Sequence, residues 1–210
     1  MQGIMRAKQL RILKSTRRTH GHLWILAACY AAGLVLGAYF YMQAAQQNAQ
    51  NYLAYYVQEI LKTYRSATFL PVAAVVFLSC VILQAVLLLV SLSCIGAPVI
   101  FCVPFCKGFS AGCLCAALIA VQGFRGAMAY MLLFWLPELL QITFLLFFAD
   151  IALQTSLCLF SIHLCRKSSE TSVFTKVSLC LRIFLITALA YLACAIVAGL
   201  LSCIFAPLFL

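Results

Sequence analysis

The chain is 210 residues long, and 66% of these residues are hydrophobic while only 9% are charged. This composition excludes a water-soluble globular domain, in which about a quarter of the residues are charged. Lysine and arginine number 14 against four acidic residues, which gives a formal net charge of +10. The basic residues lie mostly beside apolar runs, which indicates orientation in a lipid bilayer and not binding to nucleic acid. We therefore predict an all-α, polytopic integral membrane protein.

The N-terminal region combines a basic segment with the first long apolar run. Six of the 14 basic residues lie within residues 1–18, and the apolar run follows at 23–42. A cleaved signal peptide is the alternative, but its apolar region is usually shorter than a retained span. We predict that residues 1–22 are a basic cytosolic tail and that residues 23–210 form a single helical membrane domain.

A polar segment at residues 43–68 follows this run, and the positive-inside rule places it outside the cell. Its second half has the periodicity of an amphipathic helix, with Glu59, Lys62 and Arg65 on the polar face. This face either binds a partner protein or belongs to a connecting helix that packs on the bundle.

The stretch between Arg65 and Lys107 contains no charged side chain. At 1.5 Å per helical residue it extends over roughly 60 Å, about twice the thickness of a hydrocarbon core. We predict two spans here, over residues 69–91 and about 99–121, with a turn near Gly96 and Pro98.

Two of the predicted spans carry small residues at every fourth position. This spacing allows two helix backbones to approach closely in a membrane. The small residues are Cys29, Gly33 and Gly37 in the first span, and Gly108, Gly112 and Ala116 in the third. We expect the face of each span that carries these small residues to make a tight contact with another helix.

The segment 127–165 is too long for one upright crossing, and Pro137 predicts a kink or a partly re-entrant segment. A polar loop at 166–182 carries four basic residues, and an uncharged last span follows at 183–207. With Lys107 counted on neither side, five crossings leave ten basic residues at inner ends and three outside, whereas six crossings leave six inside and seven outside. The positive-inside rule therefore favours about five transmembrane helices with a cytosolic N-terminus.

The sequence offers no pattern for metal binding or for catalysis. Its 12 cysteines lie in or beside apolar runs and include no C-x-x-C pair. We interpret them as small packing residues, and we predict no metal and no cofactor. Motifs of metalloproteases, serine hydrolases and phosphate-binding loops are absent from the sequence, so we predict that the protein is not an enzyme and has no catalytic residues.

Three ionisable residues are predicted to lie within the membrane: Lys107, Glu138 and Asp150. Such residues are costly in hydrocarbon and often mark ion or substrate pathways. They are compatible either with a structural pair between the lysine and a carboxylate or with a small secondary transporter or channel. A transporter would show pseudo-symmetry between its halves, and we find no convincing repeat.

Part of the chain has a recognisable order of glycine, proline and lysine residues. It contains Ile-Gly-Ala-Pro-Val-Ile at 95–100, then Lys107-Gly108, Gly112 and Leu136-Pro137. This order and spacing resemble the stage II sporulation protein M family, over most of the chain. The family-pattern residues are Gly96, Pro98, Lys107, Gly108, Gly112 and Pro137, and the resemblance implies that they are helix-packing and backbone-shaping positions.

The resemblance also implies a function. Members of the family are multi-pass proteins of the cell membrane in endospore-forming bacteria, on the mother-cell side of the sporulation septum, and are needed for engulfment of the forespore. The implied role is a non-catalytic scaffold that anchors two peptidoglycan hydrolases, stage II sporulation proteins D and P. Many members have a His-Gly pair after the proline, where this chain has Glu138 and Leu139.

The predicted topology can be tested with a reporter enzyme that is active only after export. Because five crossings bring the C-terminal end outside, a reporter fused after Leu210 should be active. The same reporter inserted in the loop at 166–182 should be inactive, because that loop is predicted to be cytosolic. Activity in the loop and none after Leu210 would instead support six crossings.

Overall fold

A computed structural model describes residues 22–43, 59, 62, 69–93, 96–165 and 170–209. The helices are α1 (His22–Gln43), α2 (Phe69–Ser91), α3 (Gly96–Gln122), α4 (Phe124–Ala129), α5 (Leu136–Cys165) and α6 (Glu170–Phe209). A π-helical turn, Tyr130–Trp135, joins α4 to α5.

Five stretches of these helices are long and apolar enough to cross a bilayer. They are His22–Gln43, Phe69–Ser91, Gly96–Gln122, Phe124–Phe160 and Val177–Phe205. Over the described ranges the chain contains no strand. The prediction of an all-α membrane protein with about five transmembrane helices is confirmed. A helix suits lipid because it satisfies its own backbone hydrogen bonds where water is absent.

The outer surface of the bundle is as apolar as its interior. Leu89 and Leu189 are 70% and 68% exposed, whereas Leu87, on the same helix as Leu89, is fully buried. A helix in lipid needs no polar face, so both of its sides can carry leucine. The exposed leucines are therefore positioned to contact acyl chains.

The core of the bundle forms around α2, which packs against both α5 and α6. The buried residues of α2 recur at intervals of three or four positions, as expected for one helix face. Leu87 joins a cluster with Phe148 of α5, and Val72 and Val76 join a second cluster with Leu133 of the π-helical turn.

Buried polar side chains also tie α2 to its neighbours. The amide nitrogen of Gln84 donates to the carbonyl oxygen of Phe184 at 3.2 Å and to the hydroxyl of Thr187, both on α6. The thiol of Cys80 donates to the side-chain oxygen of Gln141 on α5 at 3.1 Å. Hydrogen bonds of this kind stabilise contacts between helices in membranes, each by about 0.6–2 kcal/mol.

Helices α1 and α3 touch through glycines on both partners. A Cβ atom at Gly33 or Gly37 would overlap a backbone carbonyl oxygen of α3, and one at Gly108 or Gly112 would overlap a carbonyl oxygen of α1. The four carbonyls are those of Phe105, Phe109, Tyr30 and Leu34, in that order. The two stripes of small residues thus lie against each other, and only glycine permits this separation of the backbones.

Further contacts of α1 with α3 follow from this close approach. The thiol of Cys113 on α3 donates to the carbonyl oxygen of Gly37 at 3.2 Å. The rings of Phe40 and Phe109 lie with their centroids 5.7 Å apart. The contact between α1 and α3 therefore extends beyond the glycines, toward the C-terminal end of α1.

The turn between α3 and α4 is a single residue, Gly123. Gly123 has a φ angle of 59°, a left-handed conformation that glycine adopts readily and other residues rarely adopt. Its N–H donates to the carbonyl oxygen of Ile119 at 2.8 Å, which closes the end of α3. Helix α4 begins at the next residue, so α3 and the following helices form a tight hairpin.

The π-helical turn ends at Trp135, two residues before Pro137. A proline has no N–H to donate to the carbonyl four residues earlier, and its ring crowds that carbonyl. A π-helical turn changes the local hydrogen-bond register and is a common way to accommodate such a disturbance. The helical path continues through the turn, and residues 124–165 are helical throughout.

Helix α6 begins well before the apolar residues that the sequence assigned to the last span. It starts at Glu170, so most of the expected loop at 166–182 is helical. Polar residues can extend a helix beyond the hydrocarbon into water, where hydropathy does not define its start.

Within the polar segment at 43–68 beyond Gln43, the description covers Glu59 and Lys62, which are helical and form an ion pair of 4.0 Å. Residues 1–21 and Arg65 lie outside the described residues.

The glycine contact predicts that Gly33→Leu destabilises the fold. The leucine side chain would force α1 away from α3, and overpacking of this kind typically costs about 1–3 kcal/mol. We expect a lower midpoint of thermal unfolding in mild detergent and less protein in the membrane. Ala32→Leu adds the same side chain at a neighbouring exposed position and should leave both unchanged. Equal effects of the two substitutions would contradict the proposed contact.

Candidate functional site

The hairpin at Gly123 places two ionisable residues at the same depth. Lys107 lies about four helical turns before Gln122, the last residue of α3, and Glu138 lies about four turns after Phe124. At 1.5 Å per residue each is roughly 21–23 Å from the turn, measured along its helix. The two side chains therefore lie at a similar depth near the middle of the bundle, although they belong to different helices and are far apart in sequence.

Both residues line a cavity of about 470 Å³ between α2, α3, the π-helical turn and α5. Its walls are mainly apolar, and its polar side chains are Ser79, Cys106, Lys107, Ser110, Glu138 and Gln141. This volume lies within the range of about 300–1,000 Å³ that is usual for small-molecule sites. The cavity is the candidate functional site.

Two tyrosines hold the carboxylate of Glu138. The hydroxyl of Tyr130 donates to Glu138 Oε2 at 3.4 Å, and the side chain of Tyr30 on α1 also hydrogen bonds to this carboxylate. Tyr130 is buried and its hydroxyl also lies 3.5 Å from the carbonyl oxygen of Ala111. Glu138 is thus fixed on one side of the cavity by donors from two other segments.

Lys107 and Glu138 interact electrostatically across the cavity. Lys107 forms no ion pair within 4.0 Å with any of the described residues. Its side chain also has no hydrogen bond to that part of the chain. The site therefore contains a basic and an acidic side chain that face a common space, with no ion pair between them.

Asp150 lies away from this cavity. It follows Glu138 on α5 by about three helical turns, which corresponds to about 18 Å along the helix axis. Asp150 is buried and accepts a hydrogen bond of 2.9 Å from the amide of Gln154. Of the three predicted intramembrane residues, the structure brings together Lys107 and Glu138 but not Asp150.

Several residues of the site did not stand out in the sequence. Tyr30, Tyr130 and Gln141 are uncharged residues in apolar helices, and nothing in their spacing indicated a common cavity. The shared depth of Lys107 and Glu138 could have been inferred from the sequence, because the two residues lie at nearly equal distances from Gly123. Knowing that Gly123 alone forms the turn would have been enough to place them at one depth.

The family-pattern residues occupy several places in the fold. Gly108 and Gly112 form half of the contact between α1 and α3, and buried Gly96 begins α3, where a Cβ atom would overlap the carbonyl oxygen of Val90. Pro98 is exposed in the first turn of α3, where a proline is tolerated. Pro137 is buried and lines the cavity together with Lys107.

The described residues contain no group of three or more metal-binding side chains. Several of the cysteine thiols in this part of the chain lie in contacts between helices. The hydrogen bond from Cys80 to Gln141 is one example. Cysteine in these helices packs and donates weak hydrogen bonds, as a small apolar residue can.

Comparison of the chain with protein-family models, with curated proteins and with solved structures gave no match.

The electrostatic link across the cavity predicts a specific rescue. Lys107→Ala should lower the amount of folded protein, because it removes the positive charge that faces Glu138 across the cavity and leaves the charge of Glu138 uncompensated. A second change, Glu138→Gln, removes that charge and should restore part of the protein level. Asp150→Asn combined with Lys107→Ala is the matched control and should restore nothing, because Asp150 is remote from the cavity. Rescue by Asp150→Asn would contradict the electrostatic link between Lys107 and Glu138. The measurement is quantitative immunoblotting of purified membranes.

Proposed function

We propose that the protein is a non-catalytic membrane scaffold in endospore formation. In this role it anchors the peptidoglycan hydrolases stage II sporulation proteins D and P at the septal membrane, on the mother-cell side, during engulfment of the forespore. The proposal follows the resemblance to the stage II sporulation protein M family. It requires a multi-pass membrane protein, and the five apolar helices are consistent with that requirement.

The observation that carries the proposal is the position of the family-pattern residues. Gly108 and Gly112 set the distance between α1 and α3, and Pro137 follows the π-helical turn. These residues shape the bundle. A scaffold that depends on this bundle would therefore need them even where its other residues differ. A pattern that marks packing and contains no nucleophile or metal-ligand set suits a scaffold better than an enzyme.

A scaffold for wall hydrolases needs a surface outside the lipid, where those enzymes act. The polar segment between α1 and α2 is the longest candidate in the sequence, and we propose its polar face as the partner surface. Glu59 and Lys62 form an ion pair there, with side chains 52% and 80% exposed. An exposed pair of this kind contributes little to stability, about 0–1 kcal/mol, so its substitution can test binding without unfolding the protein.

The test is reversal of three charges: Glu59→Lys, Lys62→Glu and Arg65→Glu. We expect the triple variant to insert normally, but to recover at least about tenfold less hydrolase in a pull-down from sporulating cells and to stall engulfment. Arg125→Glu, at an exposed position in α4, is the matched control and should recover hydrolase at the wild-type level. Normal recruitment by the triple variant would place the contact elsewhere.

A small secondary transporter or channel is the second candidate, and the cavity favours it. Lys107 and Glu138 face a common space near the middle of the bundle, the depth at which secondary transporters bind their substrates. A variant Glu138→Gln that folds normally and recruits hydrolases normally, but abolishes solute flux in vesicles, would favour this candidate over the scaffold.

A further inference from the structure

We propose that the cavity between α2, α3 and α5 binds a zwitterion with a primary ammonium and a phosphate, supplied by the head group of an aminophospholipid. In this arrangement the phosphate lies against Lys107 and the ammonium lies against Glu138. The proposal is independent of the scaffold function and of hydrolase recruitment, because it concerns a site inside the bundle.

The first argument is the separation of the two charges. Lys107 and Glu138 line the same cavity and interact electrostatically, yet no ion pair within 4.0 Å joins them. The hydrogen bonds from Tyr30 and Tyr130 restrain the carboxylate on its side of the cavity. In surroundings of low polarity, each charge gains from an opposite charge brought to it. A ligand with both signs satisfies both sides at once, whereas an anion alone would be repelled by Glu138.

The hydrogen-bond donors of the cavity suit the phosphate. Lys107 supplies three N–H groups. Gln141 is more than nine-tenths buried, and its side-chain oxygen already accepts the thiol of Cys80. Its NH2 group is therefore the part of the amide that remains to donate, and Gln141 lines the cavity. An ammonium and an amide together form a donor set for an oxyanion.

The acceptors of the cavity suit a primary ammonium. The hydroxyl of Ser79 donates to the carbonyl oxygen of Val76, and that of Ser110 donates to the carbonyl oxygen of Lys107, each at 2.9 Å. Because each hydroxyl proton is already used in these bonds, each serine oxygen can only accept a hydrogen bond from a ligand in the cavity. Glu138 accepts from two phenols and retains further lone pairs, since a carboxylate has about four. A quaternary ammonium has no N–H with which to use these acceptors.

The walls and the opening of the cavity favour a lipid as the source. Apolar side chains make up most of the wall, and they include Leu114 and Phe134. Val75 and Ile82 line the cavity and are also 53% and 55% exposed on the outer surface of α2. In a membrane that surface faces acyl chains, so a ligand with a hydrocarbon part can enter from the side and leave its tail along α2.

The experiment measures lipid bound to the purified full-length protein by native mass spectrometry. The protein in mild detergent is mixed with equal amounts of phosphatidylethanolamine, phosphatidylcholine and phosphatidylglycerol. We expect at least about tenfold preference for phosphatidylethanolamine, since loss of one buried charge contact changes affinity by that factor or more. In the Glu138→Gln variant this preference should disappear, and phosphatidylglycerol should bind better because only the cationic side remains.

Ratios between lipids are measured within one sample, so a variant that folds less well still gives an answer. The double variant Lys107→Gln, Glu138→Gln carries no charge in the cavity and should lose both preferences. Arg125→Ala removes an exposed positive charge outside the cavity and should keep the wild-type ratio. Equal binding of the ethanolamine and choline lipids by the wild type, or an unchanged ratio in Glu138→Gln, would overturn the proposal.

A soluble ligand distinguishes the two sources of this chemistry. Glycerophosphoethanolamine carries the same head group without acyl chains, and we expect it to compete at least about a hundredfold more weakly than the lipid, because it lacks the contacts along the apolar wall. Competition at equal concentration would show that the head group alone binds, and it would overturn the assignment to a lipid.

Discussion

The backbone contact between α1 and α3 is the constraint on which the rest of the structure depends. In lipid, a leucine gains little by moving from acyl chains to another helix, so association relies on close packing and on polar contacts. Glycines at both sides allow the two backbones to touch. The carbonyl of Tyr30 meets Gly108 in this contact, next to Lys107 in the chain. The packing that holds α1 therefore also brings the side chain of Tyr30 to Glu138.

The cavity depends on a second constraint, the register of the hairpin at Gly123. A one-residue turn fixes which residues of α3 and α5 share a depth, and the π-helical turn before Pro137 lies on the path to Glu138. Polar groups from α1, α2 and α3 then either hydrogen bond to the carboxylate of Glu138 or face it across the cavity. Charges are costly at this depth, and the structure provides two phenols, two hydroxyls and an amide around them.

The fold class followed from the sequence, because hydropathy and length are enough to identify transmembrane helices. The two stripes of small residues were also visible, although their pairing with each other was not. Periodicity could not distinguish the core from the lipid-facing surface, because both are apolar, as Leu87 and Leu89 illustrate. Tyr30 and Gln141 were not identified, because a site built from several helices depends on how those helices pack. The start of α6 at Glu170 was missed because its first turns are polar.

The turn at Gly123 also limits how this chain can change in length. One residue inserted between Lys107 and Glu138 would shift the following helix by about 1.5 Å and rotate its side chains by about 100°. After an insertion at the turn, the carboxylate would point away from the lysine and from Tyr30. Any chain that retains this cavity is therefore expected to keep the spacing from lysine to glutamate, even where the residues between them differ.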